Sequence, residues 1–142
     1  MIGVIDYGMG NLASVSNALE YIGYDSKICA EPEEIINCER LILPGVGSFN
    51  SAMQALTEKG WNQSITDFAQ SGRPLLGICL GMQLLFNSGD EHGPTPGLGL
   101  ISGEVKILQP DSPNKVPHVG WNSLLPVHDH PLLERYRPGV DL

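Results

Sequence analysis

Pro74-Leu-Leu-Gly-Ile-Cys79-Leu-Gly-Met-Gln-Leu84 is the stretch on which the reading of this chain turns. The apolar run from Pro74 to Cys79 reads as a buried strand, and Leu80 to about Phe86 as a helix that follows without a loop. Between them Gly77-Ile-Cys79-Leu-Gly81 has the form glycine, x, nucleophile, x, glycine at a strand-to-helix junction. A nucleophile on such an elbow sits on a sharp, strained turn, and bulk two residues away on either side would collide with it. Glycine at both flanks removes that collision. The turn also sets the sulfur at a helix start, where partial positive charge favours an anion. The competing reading makes Cys79 a small buried apolar residue. It leaves the two glycines, placed where the strand ends, without a reason.

Upstream, the same alternation repeats. Met1-Ile-Gly-Val-Ile-Asp6 is an apolar strand, and Leu12, Val15, Leu19 and Ile22 mark one face of a helix that Gly23 ends in a left-handed cap. Asp25–Cys29 is a second strand and Pro32–Asn37 a short helical piece. Arg40–Leu43 is a third strand, stopped by Pro44. Ser48 caps a helix with Phe49, Ala52, Met53 and Leu56 inward and Gly60 at its end. Trp61, Ile65, Phe68 and Ala69 predict one more helix, ending near Gly72. Strands alternating with amphipathic helices imply parallel strands joined by helical crossovers, with helices on both faces of the sheet.

Beyond Asn87 the pattern changes. Eight of the eleven prolines lie from Pro94 onward. A Gly/Pro-rich loop, Gly93–Gly99, leads to strand candidates at Glu104–Leu108 and Trp121–Leu125 and a weak helix at Pro131–Tyr136.

An α/β sheet carries its reactive groups at the carboxyl ends of its strands. Pro44-Gly-Val-Gly47 directly follows the third strand there. Its two glycines permit a turn that leaves amide N–H groups unpaired and facing the cleft, as an oxyanion requires. The second donor would be the amide of Leu80. Asp6-Tyr-Gly8-Met-Gly10-Asn-Leu-Ala13, with Glu31 about twenty residues on, fits a dinucleotide fingerprint in outline. That reading leaves the cysteine elbow without a purpose and is held as the minor one. His128-Asp-His130 offers two metal ligands with no third. None of the four histidines is assignable as the base a thiol needs.

Charge and composition exclude other classes. The 142 residues carry eight Lys+Arg against sixteen Asp+Glu, a net charge of −8, which disfavours nucleic acid. No run approaches the roughly 20 apolar residues of a membrane span, and no basic-then-apolar leader opens the chain. Three cysteines without a C-x-x-C spacing suit a reduced, cytoplasmic setting.

Four segments together resemble one family. Asp6-Tyr-Gly-Met-Gly-Asn11, Leu43-Pro-Gly-Val-Gly-Ser-Phe49, Gly77-Ile-Cys-Leu-Gly-Met-Gln-Leu84 and Lys115-Val-Pro-His-Val-Gly-Trp-Asn122 look like the glutaminase subunits of imidazole glycerol phosphate synthases, within the class I (triad) glutamine amidotransferases. The resemblance implies a flavodoxin-like three-layer α/β sandwich with a mostly parallel central sheet. It implies that Cys79 attacks the side-chain amide of glutamine, releases ammonia and forms a thioester that water hydrolyses. Gly45, Val46, Gly47, Leu80 and Gln83 match the oxyanion and glutamine-binding positions. Asn11, His118, Trp121 and Asn122 match segments that face a (β/α)8-barrel synthase partner, which uses the ammonia in histidine biosynthesis. The assembly is then a heterodimer with hydrolase and lyase steps, needing no cofactor and no metal.

In that family the catalytic His and Glu lie in a His-Pro-Glu motif near the C-terminus, after further strands. Here Leu142 comes before such a motif, and His130-Pro131 is followed by Leu132. The expectation is one amidotransferase domain over residues 1–142, incomplete at its C-terminal end and weak or inactive in this form. Losing the base of a comparable triad costs about 10⁶ in turnover. Two alternatives are a non-catalytic partner-binding remnant and an amidotransferase serving another acceptor, such as a surface sugar.

Overall fold

The computed structural model describes residues 1–109, 116, 120, 125, 126 and 130–133. The chain divides into two compact units, Met1–Ile107 and Leu108–Leu142. In the first, β1 (Ile2–Ile5), α1 (Leu12–Tyr21), β2 (Ser26–Cys29), a 3-10 turn (Pro32–Asn37), β3 (Arg40–Leu43), α2 (Phe49–Glu58), α3 (Trp61–Gln70), β4 (Leu75–Gly77) and α4 (Leu80–Leu84) follow one another. Four strands pair in the order β2-β1-β3-β4, all parallel. This is the expected mostly parallel α/β architecture.

The sheet is covered on both faces, and period-two alternation along its strands decides which side chain meets which helix. Ile2, Val4 and Ile42 pack with Leu19, Leu12 and Val15 of α1. Ile5, Leu41 and Leu43 point the other way, onto Phe49, Ala52, Met53 and Leu56 of α2 and Trp61, Ile65 and Phe68 of α3. All four residues of β1 are therefore buried. A strand covered on both sides reads as a continuous apolar run rather than an alternating one.

Packing also explains α3, whose sequence is otherwise polar. Its anchors Trp61, Ile65 and Phe68 recur at helical spacing and are all buried. Each such side chain contributes about 1.5–3 kcal/mol on leaving water, enough to hold a short polar helix in place. Helix starts follow the side chains the sequence supplies: Asn11 Oδ1 accepts from Ser14 N (3.1 Å) at α1, and Ser48 Oγ from Ser51 N (3.4 Å) at α2. Past α3, Arg73 stacks on the Phe68 ring at 3.9 Å. Its guanidinium donates to the carbonyls of Ile36 (3.1 Å) and Cys38 (3.0 Å), tying the 3-10 turn to the end of α3.

Downstream of α4 three expectations need correction. The helix stops at Leu84 rather than near Phe86, and a second sheet begins at once: β5 (Phe86–Asp90), β6 (Pro94–Pro96) and β7 (Ile101–Lys106), ordered β6-β5-β7. Asn87, Ser88 and Gly89 are poor helix formers, and Gly89 lets the strand lie directly on the Phe49 ring, 2.6 Å from where its own Cβ would stand. Part of the loop expected at Gly93–Gly99 is strand β6, antiparallel to β5. The strand expected at Glu104–Leu108 runs from Ile101 to Lys106, parallel to β5 with a register irregularity between Phe86 and Ser88. Asn87 Oδ1 accepts from Gly103 N (2.9 Å) at that irregularity. The strand expected at Trp121–Leu125 lies almost wholly outside the described residues. Of the helix expected at Pro131–Tyr136, Pro131–Leu133 form a 3-10 turn and the rest lies outside them.

Candidate active site

The β4–α4 junction turns as sharply as its glycines predict. Ile78 N donates to Leu43 O (3.0 Å), Gly81 N to Ile78 O (3.0 Å) and Met82 N to Cys79 O (3.0 Å), so the helix begins as the strand ends. Cys79 sits between them at φ 56°, ψ −119° and is the one non-glycine residue with positive φ among those described. Such a conformation costs energy and persists only where the surroundings enforce it. The enforcing contacts are backbone. A Cβ on Gly81 would run into the Leu43 carbonyl, and one on Gly77 would lie 2.6 Å from the Met82 nitrogen. The Cys79 sulfur is exposed, and no described residue hydrogen-bonds to it.

The Pro44–Ser48 turn lies against this elbow. A Cβ on Gly45 would stand 2.8 Å from Gly81 N and 3.0 Å from Leu80 Cβ. Gly45 is buried, whereas Val46 and Gly47 are exposed, and Gly47 takes φ 99°. The N–H groups of Gly45, Val46, Gly47 and Leu80 have no hydrogen-bond acceptor among the described residues. Unpaired amides beside an exposed thiol are the arrangement an oxyanion requires.

The loop after β1 backs that turn. A Cβ on Gly10 would lie 3.0 Å from the Pro44 ring, and one on Gly47 3.0 Å from the Met9 methyl. Asp6 Oδ1 accepts from Gly8 N (2.9 Å), which holds the loop in shape. Packing on Pro44 accounts for Gly10, and a φ of 95° for Gly8, the glycine pair that also suggests a dinucleotide fingerprint. Asn11 is exposed, and its side chain caps α1.

A cavity of about 180 Å³ opens beside Gln83, which stands one helical turn after Cys79. Phe49, Glu91 and Lys106 also line it. Glu91 Oε2 accepts from Phe49 N at 2.7 Å, at the first turn of α2. Lys106 pairs with Glu104 (2.9 Å), and that carboxylate holds its ammonium above the usual lysine range. With Asp90, which also lines it, the cavity carries two carboxylates, a carboxamide and an ammonium, groups that can pair with both charges of an amino acid's zwitterionic end. Neither Glu91 nor Lys106 stood out in the sequence. Among the described residues no cluster of His, Cys, Asp or Glu is arranged to hold a metal ion.

Comparison with known proteins shows the family. A family model described as a CobB/CobQ-like glutamine amidotransferase domain matches residues 7–112. Imidazole glycerol phosphate synthase subunit HisH of Caldanaerobacter subterraneus subsp. tengcongensis is 52% identical over 139 residues, covering 98% of this chain and 68% of that protein. The chain belongs to the HisH family of glutamine amidotransferases. The HisH of Bacillus licheniformis is 54% identical, again over 98% of this chain and 68% of the relative. For one HisH of Desulfitobacterium hafniense the identity is 52%, with 87% and 58% covered. The chain thus spans about 58% to 68% of the length of these relatives. A crystal structure of a glutamine amidotransferase superposes with TM-score 0.64 at 24% identity, covering 74% of this chain and 55% of that one, a likeness of fold.

The stretch matched by the amidotransferase model holds the elbow, the Pro44–Ser48 turn, Gln83 and Glu91. His118, Trp121 and Asn122, the HisH-like residues expected to face a partner, lie outside the described residues.

Proposed function

We propose that this chain carries the glutamine-cleaving site of an imidazole glycerol phosphate synthase. The single observation that supports this most is the strained, exposed Cys79 beside the unpaired amides of Gly45–Gly47 and Leu80. The sulfur attacks the γ-carboxamide carbon of glutamine, and the carbonyl oxygen takes up negative charge facing those amides. The C–N bond then breaks, ammonia leaves with the proton that the thiol gave up, and a γ-glutamyl thioester remains for water to hydrolyse. Glu91 and Gln83 hold the amino-acid end in the adjoining cavity, with Lys106 near the α-carboxylate. Among the described residues Cys79 is the nucleophile and the Gly45–Gly47 and Leu80 amides are the oxyanion donors; none of them is assigned as the base.

Ammonia made this way serves a (β/α)8-barrel synthase subunit, paired with the chain as a heterodimer through the Asn11 loop and the segment of His118, Trp121 and Asn122. That places the chain in cytoplasmic histidine biosynthesis, and no described helix is long and apolar enough to cross a membrane.

The test is protection. L-glutamine should slow alkylation of Cys79 by iodoacetamide, whereas L-asparagine, one methylene shorter, should not. Equal rates with and without glutamine would remove the substrate from the proposal. With the synthase partner present, ammonia release should vanish in Cys79→Ala.

A further inference from the structure

Tyr7 follows β1 by two residues and is only 1% exposed. Among the described residues its hydroxyl has no hydrogen-bond partner, and burial pushes its pKa up to about 12. Buried hydroxyls are ordinarily paired, so an unpaired one at a site calls for an account. Its position is informative: a Cβ on Gly45 would lie 2.7 Å from the Tyr7 oxygen, 2.8 Å from Gly81 N and 3.0 Å from Leu80 Cβ. The phenol tip therefore fills the seam where the Pro44–Ser48 turn meets the start of α4.

We infer that Tyr7 is a positioning residue, a rigid strut whose ring sets how far the Gly45–Gly47 amides stand from Cys79. The inference rests on the glutamine-cleaving reading above. A tyrosine suits the task because its length is fixed by a planar ring with two side-chain torsions, while a flexible side chain would let the seam close. The hydroxyl gains nothing from a hydrogen bond here, so its bulk and not its polarity does the positioning. The amides touch only a developing oxyanion; a shift of the seam therefore slows attack on a carbonyl and leaves simple alkylation of the sulfur alone.

The experiment compares two reagents on the 142-residue chain: a chloromethyl ketone analogue of glutamine, whose carbonyl draws on the amides, and iodoacetamide, which does not. Tyr7→Leu should slow analogue labelling of Cys79 by about tenfold or more, as misplaced catalytic groups do. Its iodoacetamide rate should stay at that of the parent chain. Tyr7→Phe keeps the ring and loses only the oxygen at its tip, so it should label faster than Tyr7→Leu and somewhat more slowly than the parent chain. If Tyr7→Leu does not fold, Tyr7→Met takes its place with the same expectation. An unchanged analogue rate in the folded Leu or Met variant overturns the inference. So does a Phe variant as slow as Leu, or a parallel fall in both reagents. If the parent chain itself resists the analogue while iodoacetamide still reaches Cys79, the glutamine reading has failed, and the strut falls with it.

Discussion

The neighbourhoods of the chain's cysteines differ in almost every physical respect. Cys29 ends β2 and Cys38 follows the 3-10 turn; both are buried, and their sulfurs lie 4.0 Å apart beneath Gly3. Burial, reinforced by Cys38, pushes the Cys29 thiol up to about 12, so it stays protonated and unreactive at neutral pH. Cys79 is exposed, sits in a backbone conformation that side chains avoid, and precedes Leu80, against which the Pro44–Ser48 turn packs. Residue type is the same; fold and access separate two buried thiols from an exposed one.

Substitutions sharpen that contrast, beginning with the largest effect. Cys79→Ala should abolish labelling by an electrophilic glutamine analogue and leave the melting temperature near that of the parent chain. Cys38→Ala should do the reverse, and peptide mapping with thermal melts reads both. Gly81→Ala comes next: the added methyl meets the Leu43 carbonyl, a backbone group that cannot yield as a side-chain tip does. Denaturant unfolding should show a loss of about 3 kcal/mol or more. If Gly81→Ala melts with the parent chain, the elbow is not as tight as described.

The pattern that exposes the elbow in the sequence is also what makes most of the fold legible there. Strands buried on both faces leave unbroken apolar runs, and α1, α2 and α3 carry their inward residues at helical spacing, so elements up to β4 fall within about two residues of expectation. Legibility ends at Phe86. The segment Phe86-Asn-Ser-Gly-Asp90 has neither alternation nor β-branched residues, because it is held through Gly89 on the Phe49 ring and through pairing with β7. Pro94–Pro96 reads as loop for a similar reason, being a short strand on the edge of its sheet. The site divides likewise. Cys79 and the Pro44–Gly47 turn announce themselves by glycine spacing. Glu91 is one of sixteen acidic residues, and only tertiary packing brings it to the amide of Phe49.

Smaller effects complete the comparison. Cys29→Ser buries a hydroxyl where a thiol sat and should cost about 1–3 kcal/mol in denaturant unfolding, against little for Cys79→Ser at its exposed site. The buried pair also has a charged neighbour. The Glu34 carboxylate accepts from Lys27 (2.7 Å), Ala30 N (2.7 Å) and Glu31 N (3.1 Å). These contacts, the Lys27 hydrogen bond first, hold its pKa at about 2 rather than the usual 4.5. A depressed carboxyl stabilises the fold fully above its unfolded value and loses that contribution as pH falls from 4.5 toward 2. Glu34→Gln should be slightly less stable at neutral pH and flatter across that window, read from urea midpoints against pH. The analogue adduct on Cys79 should be indifferent to it.

Peptide mapping after treatment with a chloromethyl ketone analogue of glutamine tests the central claim most directly. One adduct, on Cys79, suppressed by added L-glutamine, is the predicted result. Adducts on Cys29 or Cys38, or none on a Cys79 that iodoacetamide still alkylates, would contradict it.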